Sequence, residues 1–174
     1  MKKIKFILIF LISISFVYGQ KNDLYKLSGP AKLIGSWEGE QKTPITFNSS
    51  ARDSFIINRG QQGMMLIVSY KNTSELLEII GGDGGSIKVY EFDFDNDKDV
   101  EIIVFCHEAR EVSCKIFKTS KGLVKMIGNF KPQFEVVVSK NFISFPYGGQ
   151  GFSNDFYYKN DAFFELIYHN PKNK

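Results

Sequence analysis

The sequence predicts an all-β fold, an antiparallel meander of about a dozen short strands in a small propeller-like or sandwich architecture. Turn-forming residues recur about every eight to twelve residues along the chain. The segments between them are short apolar runs or alternate with the period of a strand, and sustained helical periodicity is absent. The composition, 43% apolar and 15% aromatic, favours one ordered globular domain with a real core.

The first 19 residues have the pattern of a secretory leader. Three lysines precede an apolar run from Phe6 to Tyr18, and small residues stand where a signal peptidase prefers them. The run is short for a membrane span, and a retained anchor is the alternative. We therefore predict a signal peptide over 1–19, a single β domain over 20–168 and a frayed tail over 169–174. The expected location is the periplasm or the extracellular space, with no membrane span after cleavage.

The charge balance argues against a nucleic-acid partner. The formal net charge of +3 equals the three lysines of the leader, so the mature chain has 19 basic residues against 19 acidic ones. The basic residues are also scattered, whereas a protein that binds the phosphate backbone concentrates them on one surface. The expected partner is a protein or a glycan outside the cytoplasm.

Five strands are predicted before the middle of the chain, each bounded by Gly, Pro, Asn or Ser. The fifth has a partly helical pattern, but it is brief and ends in two glycines, so we interpret it as a strand. The glycine-rich run 81–85 is followed by a strand pattern rather than a helix, which indicates a turn and not a phosphate-binding loop. The predicted strands are Leu33–Trp37, Pro44–Asn48, Ser54–Asn58, Gln62–Tyr70 and Glu75–Ile80.

An acidic segment follows the next predicted strand, Ser86–Phe92. Its carboxylates stand at every second position, and side chains one, three and five residues along a tight loop can converge on a hard cation such as calcium. The predicted ligands are Asp93, Asp95, Asp97, the main-chain carbonyl of Asp99, and Glu101.

The alternative for this segment is an acidic, solvated hairpin tip. An EF-hand fits less well, because its twelfth loop position would be Val104 instead of glutamate and both flanks alternate like strands. Zinc fits less well still, because no His or Cys lies among the acids.

Two strands after the acidic segment, Glu101–His107 and Val112–Lys118, form a predicted hairpin. A turn centred on Arg110 would place Cys106 opposite Cys114, close enough for a disulfide in an exported protein. The alternative is a pair of reduced cysteines packed as small apolar side chains, because a shift of one residue in register separates the sulfurs.

The C-terminal third continues the β pattern and contains a candidate recognition loop. A closing hairpin is predicted through Asn160-Asp161, since both residues tolerate the left-handed conformations of tight turns. The candidate partner-binding loop comprises Tyr147, Gly148, Gly149, Gln150 and Gly151. The predicted strands are Leu123–Ile127, Phe134–Ser139, Phe142–Phe145 and Ala162–Tyr168.

The segment Asp93–Val104 resembles the Asp-x-Asp-x-Asp-Gly-x-x-Asp-Leu calcium loop of FG-GAP and VCBS repeats, over one repeat spanning roughly residues 87–127. The resemblance implies blade-like strands and calcium as the ligand. A weaker resemblance of residues 142–166 to small exported VCBS-like proteins implies a role as inhibitor of, or immunity protein against, a peptidoglycan hydrolase. Lys98 departs from the pattern where the family has glycine, a position that often has positive φ.

Catalysis has little support in the sequence. His107 and His169 are the two histidines, and no Ser or Cys lies in a nucleophile-elbow context. We therefore expect a non-enzyme, an exported calcium-binding domain with a structural or binding role. An inhibitor or immunity protein is the alternative, and a hydrolase is a third, weaker one.

Overall fold

The computed structural model describes most of the chain from residue 24 to residue 167. The described residues are 24–38, 44–48, 50, 54–60, 63–70, 73–81, 85–108, 110–120, 123–147 and 151–167. The predicted leader (1–19) and tail (169–174) lie outside them. No helix among the described residues is long and apolar enough to cross a membrane.

Fourteen strands are present in the described residues, which confirms the all-β class. Their bounds are β1 Tyr25–Ser28, β2 Lys32–Glu38, β3 Ile45–Asn48, β4 Ser54–Gly60, β5 Gly63–Tyr70, β6 Thr73–Gly81, β7 Ser86–Phe92, β8 Glu101–Glu108, β9 Glu111–Ser120, β10 Leu123–Gln133, β11 Val136–Ser139, β12 Phe142–Tyr147, β13 Phe152–Lys159 and β14 Ala162–Leu166. Every predicted strand has a counterpart here, and the ambiguous fifth segment is the strand β6.

The strands form three sheets. The central sheet has the order β10-β9-β8-β7-β2, the N-terminal sheet runs β3-β4-β5-β6, and the C-terminal sheet has the order β1-β11-β12-β13-β14. Neighbouring strands are antiparallel except for β1, which pairs in parallel with β11. The chain therefore departs from a simple meander at two points. The strand β1 pairs with the distant β11, and β2 pairs with β7, with the whole N-terminal sheet between them in the sequence.

The central sheet is covered on both faces, because successive apolar side chains along its strands enter two different cores. Along β8, Ile102, Val104 and Cys106 belong to the core shared with Phe47 and Phe55 of the N-terminal sheet. The intervening Ile103 and Phe105 belong to a second core, shared with the C-terminal sheet. Burial of both faces explains why β8 is a continuous apolar run.

The predicted disulfide between Cys106 and Cys114 is not formed in this structure, in which both cysteines are buried. The hairpin closes at Glu108 and Glu111, so Cys114 pairs with Phe105 and Cys106 pairs with Ser113. A slip of one residue reverses the face on which a side chain lies. The two thiols therefore enter opposite cores, and burial raises the pKa of the Cys114 thiol well above its ordinary value.

Candidate metal site in the acidic loop

The acidic loop, residues 93–100, joins β7 to β8 and is shaped by its own carboxylates. The backbone N–H of Asp97 donates to Asp95 Oδ1 at 3.2 Å, and that of Asp99 donates to Asp97 Oδ1 at 2.9 Å. Such bonds from a side-chain oxygen to the N–H two residues later make Asx turns, which bend the chain tightly. The bend gives Asn96 a φ of 64° and Lys98 a φ of 78°. The positive φ expected at Lys98 is thus confirmed.

Glu101, the first residue of β8, lies under this loop and is fully buried. Its Oε2 accepts hydrogen bonds from the backbone N–H of Phe94 at 2.8 Å and of Asp95 at 3.4 Å. Its Oε1 is also buried and has no hydrogen-bond partner among the described residues. Burial raises the pKa of Glu101 to about 7, and the nearby negative charge of Asp95 adds to the effect.

Three of the five predicted ligands converge. Asp93, Asp95 and Glu101 each offer a carboxylate oxygen, and these atoms lie within 4.8 Å of one another. Oxygens bound to one calcium ion at about 2.3–2.6 Å are separated by no more than about 5 Å, so the spacing fits such an ion. The donor set, oxygen without nitrogen or sulfur, is also that of a hard cation.

The other two predicted ligands lie differently. Asp97 directs its carboxylate to Lys118, and Asp99 is exposed and contributes its backbone N–H to the loop. A contribution from the Asp99 carbonyl stays a prediction. The structural core of the site is therefore the first, third and ninth positions of the loop pattern.

Two lysines that the sequence analysis did not single out pair with the loop acids. Lys118 Nζ, from β9, donates to Asp95 Oδ2 and, at 2.9 Å, to Asp97 Oδ2. Its hydrogen bond lowers the pKa of Asp97, and the two carboxylates in turn raise the pKa of Lys118. The sequence would have predicted the contact of Lys118 with the loop if the β8–β9 register had been assigned correctly. In that register Phe117 pairs with Ile102, and the next residue, Lys118, faces the loop.

Lys140 approaches the loop from the C-terminal sheet. It lies in the turn between β11 and β12, and its Nζ donates to Asp93 Oδ2 at 3.0 Å and to Asn96 Oδ1 at 2.7 Å. The same turn is joined to the loop through the backbone, because the N–H of Asn141 donates to the carbonyl of Phe94 at 2.6 Å. The loop is thus held between the central and C-terminal sheets.

The remaining predicted site residues lie away from the acids. Tyr147 is 46% exposed and stacks on Phe152, itself 55% exposed, with ring centroids 6.1 Å apart. Residues 148–150 of the candidate recognition loop lie outside the described residues, and Gly151 has a φ of 76°. His107 lies on β8 with its Nε2 buried, and His169 is outside the described residues.

Searches for similar proteins gave no match to this chain among family models, curated proteins or solved structures.

Proposed function

We propose that the acidic loop binds calcium and that the protein is an exported, non-catalytic β domain whose loop the ion stabilises. The observation that carries this proposal is Glu101 Oε1, a buried carboxylate oxygen with no hydrogen-bond partner among the described residues, beside the oxygens of Asp93 and Asp95. A buried carboxylate oxygen without a partner destabilises the fold unless a proton or a cation satisfies it. The two neighbouring carboxylates favour the cation, because they offer further oxygen ligands that a divalent ion binds together with Glu101 and that a single proton leaves unused.

When bound, calcium would supply positive charge to the loop, and the chain's own residues would supply the ligand oxygens and hold them in place. Asp93, Asp95 and Glu101 would hold the ion through their carboxylates. An Asx turn orients Asp95, and the backbone N–H of Lys98 donates to Asp93 Oδ1 at 3.4 Å. The N–H groups of Phe94 and Asp95 fix the glutamate. The expected effect is architectural, because the loop joins two strands and contacts a second sheet.

Thermal unfolding with calcium and with chelator tests the proposal. At a concentration of calcium about a hundred times the dissociation constant, we expect the midpoint to rise by about 5–10 °C. Asp95→Ala should lose this shift, because it removes a ligand oxygen. Asp99→Asn is the matched control, since it removes a charge from the same loop but leaves the main-chain carbonyl, and it should retain the shift. Equal midpoints for the wild type in calcium and chelator would disprove the metal site.

We also propose that the three sheets are blade-like units of the kind that the VCBS and FG-GAP resemblance implies. Each sheet has four or five strands, and the central sheet packs face to face against both others. A crystal structure grown with calcium distinguishes blades, which fan about a common axis, from the parallel layers of a sandwich.

A second candidate function, inhibition of a peptidoglycan hydrolase, is favoured by the exposed pair Tyr147 and Phe152. Aromatic side chains at interfaces bury large areas with little loss of conformational freedom, and here they flank the candidate recognition loop. An assay of purified protein against lysozyme-type and other peptidoglycan hydrolases tests this function, with Tyr147→Ala as the loop variant. Undiminished hydrolase activity with excess protein would remove this candidate and leave the calcium proposal intact.

A further inference from the structure

Two ammonium groups from different sheets together pair with three acids of the loop. Lys118 belongs to β9 of the central sheet, and Lys140 belongs to the turn before β12 of the C-terminal sheet. Their Nζ atoms contact Asp95 and Asp97 in one case and Asp93 in the other. Two of these acids, Asp93 and Asp95, also belong to the cluster of candidate ligands. The lysines therefore contact the same carboxylate groups that a cation would use.

A cation in the cluster and these two ammonium groups are mutually unfavourable. The positive charges would lie a few ångströms apart and would repel one another. Each shared carboxylate would also have to bind the cation and accept a hydrogen bond from an ammonium group at the same time. Both interactions use the ionised form of the carboxylate, so they compete for the same oxygens. Long lysine side chains can move into solvent at little energetic cost, and both are partly exposed, at 25% and 43% of their side-chain surface.

We propose that Lys118 and Lys140 are tethered competitors for the cation, and that binding of calcium at Asp93, Asp95 and Glu101 expels both ammonium groups from the acidic loop. This inference rests on the proposed calcium site and adds its regulation. The lysines neutralise the loop when calcium is scarce, so the loop keeps its shape without the ion. They also weaken calcium binding, because their ion pairs must break before the ion can take the same carboxylates.

Chemical labelling of lysine side chains tests the exchange on the wild-type protein. An ammonium group held between carboxylates reacts slowly with an acetylating reagent, and its release makes it accessible. We expect calcium chloride to increase the acetylation rates of Lys118 and Lys140 severalfold, measured by mass spectrometry, while Lys125 and Lys159 keep theirs. Magnesium chloride at the same concentration controls for ionic strength.

Removal of the competing charges tests the same inference by affinity. Lys118→Met and Lys140→Met should each lower the calcium dissociation constant, by about fivefold if the lost ion pair is of ordinary strength. Lys125→Met is the matched control, because Lys125 is the cross-strand neighbour of Lys118 and carries the same charge. Among the described residues the loop acids are ion-paired by Lys118 and Lys140, so the control should change affinity less.

The two proposals fail in different ways. Calcium binding by titration calorimetry without faster labelling of Lys118 and Lys140, or with unchanged affinity in both Met variants, would overturn the exchange and leave the calcium site standing. Absence of calcium binding in the wild type and in both Met variants would overturn the proposed function together with the exchange.

Discussion

The acidic loop between β7 and β8 and the turn between β13 and β14 both reverse the chain, but they differ in length, backbone conformation and charge. The turn needs two residues, Asn160 and Asp161, with φ of 52° and 58°. Asn and Asp tolerate this left-handed region, and Tyr158 completes the turn by donating its hydroxyl to Asp161 Oδ1 at 3.0 Å. The loop uses eight residues, places a lysine at a φ of 78° and gathers four carboxylates before Glu101.

The difference shows that the acidic loop is not shaped by chain reversal alone. In the β13–β14 hairpin a two-residue turn reverses a strand pair with residues that tolerate the left-handed region and without a cluster of carboxylates. The longer loop instead accumulates two unfavourable features, the positive φ of Lys98 and the buried oxygen of Glu101 that has no hydrogen-bond partner among the described residues. Such features are retained where surrounding structure and a ligand compensate for them.

The acidic loop packs directly on the β13–β14 hairpin through Phe94. It is fully buried and contacts Tyr158 and Phe163, with ring centroids 5.4 and 5.8 Å away. We expect Phe94→Ala to lower the free energy of unfolding by about 3–5 kcal/mol, as for other large aromatic truncations in a core. Chemical denaturation of the calcium-free protein measures this.

Phe164→Ala is the control for that experiment. Phe164 is adjacent to Phe163 on the same strand but is 54% exposed, so its truncation should lower stability by less than about 1 kcal/mol. If Phe94→Ala lowered stability as little as Phe164→Ala does, the packing of the loop on the hairpin would not contribute to stability.

The pH dependence of stability should depend on the acidic loop, through Glu101, and not on the β13–β14 turn. The pKa of Glu101 rises from 4.5 to about 7 on folding, so between these values the folded protein binds a proton that the unfolded chain has released. Stability of the calcium-free protein should therefore fall by up to about 3 kcal/mol as pH rises from 4.5 to 7. Urea denaturation at several pH values in chelator measures the slope.

Glu101→Gln should flatten this slope, since the variant has no proton to release there. Asp97 does not interfere, because its lowered pKa places the loss of its contribution below pH 3.8. Calcium should reverse the trend by binding the ionised carboxylate. A slope that survives Glu101→Gln would assign the effect to another group and undermine the argument from the buried oxygen.

Local signals made most of the strands and the acidic loop predictable, and long-range pairing accounts for the rest. Turn residues bound nearly every strand, and the alternation of acids identified Asp93, Asp95 and Glu101. The strand β1 was missed, because its four residues are ordered by parallel pairing with Val136–Ser139 at the far end of the chain.

The partners of the acids were missed for the same reason. Lys118 and Lys140 lie 23 and 47 residues along the chain from the aspartates that they contact, and a single residue of register decides which side chains face one another. The same sensitivity produced the error at Cys106 and Cys114. Composition and spacing therefore identify a candidate ligand set, whereas the lysines that pair with it are brought there by the assembled sheets.

The smallest expected effect comes from substitutions that relieve backbone strain, one in the acidic loop and one in the β13–β14 turn. Lys98→Gly places the residue without a Cβ at a φ of 78°, which should stabilise the calcium-free protein by about 0.5–1 kcal/mol after the greater freedom of glycine in the unfolded chain is subtracted. Asn160→Gly, at a φ of 52°, should gain less, since asparagine already tolerates this region. Denaturant midpoints of both variants decide the point. An equal gain would mean that the acidic loop stores no more strain than an ordinary turn, and its positive φ would then be no sign of a ligand-dependent structure.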